Sequence, residues 1–195
     1  MDNNDMKLLI ELPSYEEVIN EETLEFVSYP SMKVYLEHSL YTISLWESKW
    51  KQAFLGDKPK TDESMNDYVY FMITGVEDET LRRQIANRIV HSVDDVNKIK
   101  DYINNSMSAT CFMESSADKK KSGGDVLTSE FFYYMIFGNQ IPIEVEHWHL
   151  NRLSTLLKVF AVKNNPDKHK HSRREIMADY ERINQRNRAR FNTKG

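Results

Sequence analysis

Hydrophobic residues in the first 36 positions occur in short runs that proline or polar stretches interrupt. The runs cover residues 6–12, 25–29 and 32–36, and the first two end at Pro13 and Pro30. Apolar and aromatic runs of this length, bounded by proline, are typical of β-strands. The pattern therefore predicts a small β element at the N-terminus.

From residue 39 onward the apolar positions repeat at intervals of three and four. This is the period of an amphipathic helix. Four helices are predicted in this part, and Thr61 starts the second of them with a sequence that resembles a capping box. The predicted helices cover residues 39–54, 61–72, 78–90 and 92–104.

The middle of the chain changes pattern again. Residues 107–113 are β-like and lead into the most polar loop of the chain, residues 118–124. Because residues 125–127 can return as a second strand, a β-hairpin is predicted here. The helix that follows, residues 130–137, is apolar on nearly all sides. Such a helix is expected at the centre of the core, surrounded by other helices.

A last long helix is predicted from Pro142, which the first helical turn tolerates, to about Lys163. The expected fold class is α+β and mainly α-helical, with a small N-terminal β element, a β-hairpin and about six helices. We expect residues 1–163 to form the globular domain, with residues 1–36 as its extended, β-rich part. Residues 164–195 are expected to form a basic C-terminal extension that is not ordered on its own, because it has few large apolar residues.

Composition narrows the class of protein. The 195 residues are 40% hydrophobic and 29% charged, as in a globular domain. No run approaches the length of a membrane span, and residues 1–5 lack the basic and apolar regions of a signal peptide. We therefore expect a cytosolic protein without a membrane span. Cys111 is the single cysteine, which excludes an internal disulfide framework.

Charge is distributed unevenly along the chain, although the net charge is only −4. Residues 1–36 contain eight acidic and two basic side chains, whereas the segment from Lys163 to the end contains ten basic and four acidic ones. Opposite charge at the two ends allows attraction between copies, docking of the tail, or separate partners for each end. Two solvated surfaces are the simplest alternative.

Few residue patterns indicate catalysis or metal binding. Glu144 and His147, and also Glu146 and His149, have the i, i+3 spacing of helical carboxylate–histidine metal sites. Successive helical residues lie about 100° apart, so the two pairs point to different faces and no shared metal site is expected. Cys111 lies in a β-like stretch and is interpreted as a small apolar residue. We expect no enzymatic activity and no cofactor.

The basic C-terminal extension is the best candidate for nucleic-acid contact, because its arginines can neutralise several phosphates. Acidic residues dilute this charge. Protein recognition is at least as well supported, since a basic segment can dock on an acidic groove or fold on binding. The arginines concerned are Arg173, Arg174, Arg182, Arg186, Arg188 and Arg190.

Several local motifs occur together and in a fixed order. They are Trp-Glu-Ser-Lys-Trp at 46–50, Met-Ser-Ala-Thr at 107–110, Thr-Ser-Glu at 128–130 with Tyr133 and Tyr134, Ile-Pro at 141–142, Trp-His-Leu-Asn-Arg-Leu at 148–153, and Arg-Glu-Ile-Met at 174–177. In this combination the chain resembles a family of small proteins of tailed bacteriophages that is similar to the tail assembly chaperones. The resemblance runs from about residue 37 to residue 190, and the first 36 residues do not contribute to it.

The resemblance implies a non-enzymatic phage morphogenesis protein that acts with a tape-measure-like or tail-tube protein in the host cytoplasm and forms a homo-oligomer. It implies structural or partner-binding roles for Trp148, Asn151 and Arg152 on the last helix. The basic residues Arg173, Arg174, Arg182 and Arg186 are the other candidate partner contacts.

Three of these expectations have alternatives. Trp148 has a second and favoured interpretation, packing in the core. Asn151 and Arg152 are expected to bond the segment at Met107 or Glu130. Functionally, the alternatives to a chaperone are a structural virion component, such as a head–tail joining or tail protein, and a DNA-binding phage regulator.

Overall fold

The computed structural model describes residues 6–20, 25–110 and 127–164. Within these residues the chain forms five strands and six α-helices. The strands are β1 (Leu8–Leu12), β2 (Tyr15–Asn20), β3 (Glu25–Tyr29), β4 (Met32–Leu36) and β5 (Ile73–Thr74). The helices are α1 (Leu40–Trp50), α2 (Asp62–Met72), α3 (Glu79–His91), α4 (Val93–Asn104), α5 (Ser129–Gly138) and α6 (Leu150–Asn164). The predicted class, α+β and mainly α-helical, is confirmed.

The strands form two small antiparallel sheets. In the first, β4 lies between β1 and β5, and Leu8 pairs with Leu36. In the second, β2 and β3 form a hairpin in which Tyr15 pairs with Tyr29. The three predicted N-terminal strands are confirmed as β1, β3 and β4, whereas β2 and β5 were not predicted.

Helices α1 to α4 follow the predicted periodicity. Ser39 caps α1 in a reciprocal capping box with Thr42, which satisfies backbone N–H groups that the first turn leaves without partners. The helix ends at Trp50 rather than at residue 54, because Lys51 adopts a left-handed conformation with φ of 50°. Trp46 is fully buried and donates a hydrogen bond to the Ser64 carbonyl at 2.6 Å, which joins α1 to α2.

The long helix predicted from Pro142 to Lys163 is wrong in its first part. A short 3₁₀ helix, Ile143–His147, comes first, and Trp148 is extended before α6 begins. The cause is a long-range backbone contact: His149 pairs with Ser39, and the Leu150 N–H donates to the His38 carbonyl at 2.9 Å. Local periodicity carries no information about such a contact.

The predicted central position of the apolar helix, residues 130–137, is also wrong. Helix α5 buries Ser129, Phe132 and Ile136 and packs on α1. Aromatic side chains on its other side remain exposed. Although α5 is apolar on nearly all sides, one of its faces therefore lies in the core and the other lies at the surface.

The hairpin predicted at residues 107–127 lies mostly outside the described residues, as does Cys111. Its described beginning, residues 107–110, is not a strand. Met107 has a positive φ of 47°, and its N–H donates to Asn105 Oδ1 at 2.9 Å. This local turn replaces the start of the expected first strand.

The chain divides into two compact units, Met1–Leu157 and Lys158–Gly195. Side chains from the three-stranded sheet and from the helices form the core of the first unit, including Ile10, Leu36, Leu40, Met72, Ile85, Ile89, Ile136 and Leu153. In the second unit, the described residues are the last turns of α6. Among all described residues, no helix combines the length and apolar character needed to cross a membrane.

Candidate functional site

One side of α5 presents three aromatic rings to solvent. Phe131, Tyr134 and Phe137 are 37%, 73% and 63% exposed. Their spacing of three residues places them within an arc of about 120° on the helix. Exposed large apolar side chains that form a contiguous surface mark sites where proteins bind partners. We call these three residues the α5 aromatic face.

A buried carboxylate holds the N-terminal end of α5. Glu47 of α1 is 8% exposed, and its Oε2 accepts a hydrogen bond of 2.7 Å from the Ser129 N–H at the start of α5. Its Oε1 accepts a second bond of 2.7 Å from the Phe54 N–H. Thr128 makes no side-chain capping bond at this end of the helix. Glu47 therefore supplies the acceptor and the negative charge that a helix N-terminus favours.

Two further carboxylates border α5. Glu130 lies in its first turn, and hydrogen bonds from its own backbone N–H and from the Thr128 hydroxyl lower the pKa of its carboxyl group. Glu146 accepts a 2.7 Å hydrogen bond from the Tyr133 hydroxyl. Burial and this bond raise the pKa of Tyr133 to about 12, so the hydroxyl stays protonated as a donor. Two carboxylates thus lie beside α5, one at its N-terminal end and one against Tyr133.

The predicted site residues around residue 150 lie close together: Asn151 and Arg152 are in the first turn of α6, whereas Trp148 precedes α6 instead of lying on the predicted long helix. The Arg152 guanidinium carbon lies 4.7 Å from the centre of the Trp148 ring, a cation–π arrangement. Trp148 is half-buried and Arg152 is exposed. Nη1 of Arg152 also contacts Sδ of Met6 at 3.3 Å.

Asn151 has a structural role, which is one of the two roles expected for it from the sequence. Its Nδ2 donates to the carbonyls of Ile103 and Asn105, at 2.8 and 2.7 Å. These carbonyls lie at the C-terminal end of α4, where backbone acceptors lack helical partners. Asn151 thus bonds the segment just before Met107, rather than Met107 or Glu130. The other predicted contacts, Arg173, Arg174, Arg182 and Arg186, lie outside the described residues.

A buried polar network joins the N-terminal sheet to α2, α4 and α6. His38 and His149 are 2% and 1% exposed, and their ring centres are 5.0 Å apart. His38 Nδ1 shares a hydrogen bond with the Tyr68 hydroxyl at 2.5 Å. The Tyr102 hydroxyl accepts from the His38 N–H at 3.1 Å and donates to the Met6 carbonyl at 2.6 Å.

Both histidines are held in their neutral forms. Burial, together with nearby His149, lowers the pKa of His38 to about 3. Burial also lowers the pKa of His149. Nε2 of His149 donates to the Tyr102 carbonyl at 3.0 Å, while its Nδ1 accepts from the Asn151 N–H at 3.2 Å. This pair of bonds fixes one neutral tautomer, because a protonated Nδ1 could not accept.

Glu37 forms the edge of the same network. Its carboxylate is buried and accepts a 2.6 Å hydrogen bond from the Ser39 hydroxyl. His147 Nδ1 and Lys7 Nζ approach it at 2.9 and 3.5 Å. Each of these buried polar groups has a partner within the chain, which is the pattern of a structural network.

In the described segments, no three histidine, cysteine, aspartate or glutamate side chains are placed to hold a metal ion. Glu144 and His147 lie on the short 3₁₀ helix. Glu146 lies on it too, but His149 follows extended Trp148, so the two pairs do not lie on one α-helix. The assumed helical geometry was therefore wrong for these pairs.

Neither a protein-family model, nor a curated protein, nor a solved structure matches this chain. The resemblance to phage tail assembly chaperones therefore stays a prediction from the sequence.

Sequence reasoning did not identify the α5 aromatic face or the role of Glu47 as functional features. The signal for the face was present, because residues 130–137 are apolar on nearly all sides. That signal alone does not distinguish a helix enclosed by its own chain from one that binds a partner. Glu47 lies on the apolar helix α1, and only the three-dimensional structure shows that it bonds Ser129.

Proposed function

We propose that this protein is a non-enzymatic phage morphogenesis protein of the tail assembly chaperone type, which binds a client segment on the α5 aromatic face. The exposure of Tyr134 and Phe137 is the observation that carries the proposal. Two rings of this size cost solvation free energy when they stay in water, and a partner that covers them recovers it.

The chemistry of the face favours an amphipathic client helix with basic residues beside its apolar stripe. The aromatic rings supply an apolar surface, as in helix-in-groove recognition. Glu130 and Glu146 place negative charge beside it. Opposite charge on the client would steer the encounter and fix its orientation. A long helical tape-measure-like protein, which the sequence resemblance implies, offers segments of this kind.

Rigidity of the face also supports binding. Glu47 fixes the first residue of α5, and Ile136 is fully buried beneath the helix. The aromatic rings therefore stand on a backbone that is already ordered. Binding to an ordered surface avoids part of the conformational entropy cost of association.

The experiment is capture of partners from phage-infected cells with a tagged chain, combined with mass spectrometry of purified particles. The informative variant is Tyr134→Ser/Phe137→Ser. Its matched control is Val93→Ser, because Val93 is 74% exposed on α4, like Tyr134 on α5. We expect the wild type and the control to capture a long helical phage protein, and the double variant to lose at least tenfold of it.

Absence of the tagged chain from finished particles would complete the support for a chaperone. Presence at the copy number of a tail or joining protein would identify a virion component instead. Capture that persists in the double variant would overturn the α5 aromatic face as the client site.

A further inference from the structure

A groove runs along a second surface, between α3 and the strands β3 and β4. Its apolar part encloses about 220 Å³ and is lined by Tyr29, Pro30, Met32, Leu81 and Ile85. A more open and polar part, of about 390 Å³, continues past Gln84 and Arg88 to Asn87 and His91. Tyr29, Gln84 and Arg88 line both parts, so the two form one continuous groove.

One face of α3 forms the floor of this groove. Leu81, Gln84, Ile85, Arg88 and His91 fall within an arc of about 120° around the helix. From Leu81 to Arg88 the helix rises about 10 Å, so the apolar and cationic ends are separated by two to three residues of extended chain. The groove thus has the dimensions of a short extended peptide.

The polar end carries a positioned positive charge. The Arg88 guanidinium lies 4.1 Å from the centre of the Tyr15 ring, and Tyr15 stacks in turn on Tyr29 at 4.5 Å. Nη2 of Arg88 donates to the Pro13 carbonyl at 2.5 Å. A guanidinium has five N–H donors. Stacking and this one bond therefore hold its plane in place while leaving donor capacity for a ligand.

No carboxylate that the structure describes forms an ion pair with Arg88. Two acidic residues that lie near the groove residues in sequence, Glu16 and Glu79, are directed away from the groove. Glu16 follows Tyr15 on β2, so its side chain lies on the other face of the strand pair. Glu79 lies about 160° around α3 from Leu81. Within the described residues, Arg88 thus supplies a guanidinium at this end that is not in an ion pair and that an anion can bind.

We propose that this groove binds an extended peptide segment of a partner protein in which a large apolar residue is followed two positions later by aspartate or glutamate. The apolar side chain occupies the space between Met32, Leu81 and Ile85. The carboxylate then pairs with Arg88, where a planar guanidinium can bond both of its oxygens. The side-chain amide of Gln84, which lines both parts of the groove, lies beside the peptide backbone between these two anchors.

Charge and shape favour a peptide over a nucleic acid. Binding to a phosphate backbone requires several cations along a track. This groove offers one guanidinium, with His91 beside it, and its other end is apolar. The groove shares no residue with the α5 aromatic face, so it can fail or succeed as a site independently of the proposed client site.

The test is an NMR titration of the full ¹⁵N-labelled chain with acetyl-Gly-Phe-Ser-Glu-Gly-amide. The same peptide with glutamine in place of glutamate is the matched ligand control. We expect shifts of the backbone amides of Gln84, Ile85 and Arg88, a dissociation constant of about 1 mM or tighter, and at least fivefold weaker binding of the glutamine peptide.

Two variants separate ligand recognition from folding. Arg88→Gln removes the cation and is expected to weaken binding of the glutamate peptide at least tenfold. Gln84→Glu removes none of the Arg88 contacts but places a negative charge in the groove. It should weaken the glutamate peptide at least fivefold and leave the glutamine peptide unchanged. Lys100→Gln, an exposed lysine on α4, is the control and should bind as the wild type does.

Three results would overturn the proposal. The first is an absence of shifts in the groove. The second is equal binding of the glutamate and glutamine peptides, or a Gln84→Glu variant that binds the glutamate peptide normally. The third is a single-stranded DNA oligonucleotide that causes the same shifts at lower concentration than the peptide, since this would identify a nucleic-acid site.

Discussion

The interior around His38 and His149 is polar, whereas the outer face of α5 is apolar, and this reverses the usual distribution at both places. The polar groups of the interior bond one another at 2.5 to 3.2 Å. The aromatic rings of α5 are up to 73% exposed. Buried polar groups with partners within the chain hold a structure together. Exposed apolar groups favour binding, because another molecule that covers them removes them from water.

In both regions, the side chain of a polar residue fixes a backbone segment by hydrogen bonding. His149 and Asn151 fix the start of α6 against α4. Glu47 fixes the start of α5 against α1. The difference between the regions is that α5 is fixed on one side only. Polar residues of the interior should therefore control stability, and the aromatic residues outside should control binding.

The largest expected effect follows removal of the buried carboxylate that holds α5. Glu47→Ala leaves the N–H groups of Ser129 and Phe54 without their acceptor, and we expect a loss of about 4 kcal/mol in the free energy of unfolding. Urea unfolding followed by circular dichroism measures it. Glu47→Gln keeps one acceptor oxygen and should lose about half as much.

Glu130→Gln is the matched control for this change, because Glu130 is an exposed carboxylate at the same end of α5. We expect a loss below about 1 kcal/mol for it. A similarly small loss for Glu47→Ala would show that the Glu47 carboxylate does not hold the helix.

The second effect compares two neighbouring residues on the two sides of α5. Ile136 is fully buried and Phe137 is 63% exposed. Ile136→Ala should cost about 3 kcal/mol, through lost burial and a cavity. Phe137→Ala should change the free energy of unfolding by less than about 0.5 kcal/mol. Equal losses in urea unfolding would contradict a one-sided α5.

The third effect is a fall in stability on acidification. The ordinary histidine pKa is 6.5, and in the folded chain burial and nearby His149 lower the pKa of His38 to about 3. Between these values the unfolded chain binds more protons than the folded one. The contribution of neutral His38 to the free energy of unfolding is therefore present above pH 6.5 and is lost as the pH falls from 6.5 towards 3. From about pH 7 to about pH 5, His38 should contribute a loss of about 2 kcal/mol, and His149 acts in the same direction.

Unfolding free energies at three pH values in this range measure the effect. His38→Gln should reduce the slope of stability against pH, because it removes the buried group whose pKa is lowered. An unchanged slope in His38→Gln would place the pH dependence elsewhere.

Local patterns were sufficient to predict the elements that depend on local energetics. Strands β1, β3 and β4 were predicted because each is an apolar run, two of them ended by proline. Helices α1 to α4 were predicted from apolar residues at three- and four-residue spacing. Strand β2 was missed, since Tyr-Glu-Glu-Val-Ile-Asn at 15–20 has no apolar run and depends on its pairing with β3.

Contacts between distant residues account for the errors. The pairing of His149 with Ser39 interrupts the predicted long helix, and these residues are far apart in sequence. The buried roles of His38 and Glu47 depend on groups from other helices for the same reason. The exposed side of α5 was missed because an apolar helix face can pack either against its own chain or against a partner, and hydrophobicity does not distinguish the two.

Binding of a client on the α5 aromatic face can be tested by site-specific photo-crosslinking in phage-infected cells, with benzoylphenylalanine introduced at position 134 or at position 93. The native side chains at these positions, Tyr134 and Val93, are exposed to nearly the same extent, 73% and 74%. We expect a crosslink from position 134 to one long helical phage protein and none from position 93. The same adducts from both positions, or no adduct from position 134, would contradict this expectation.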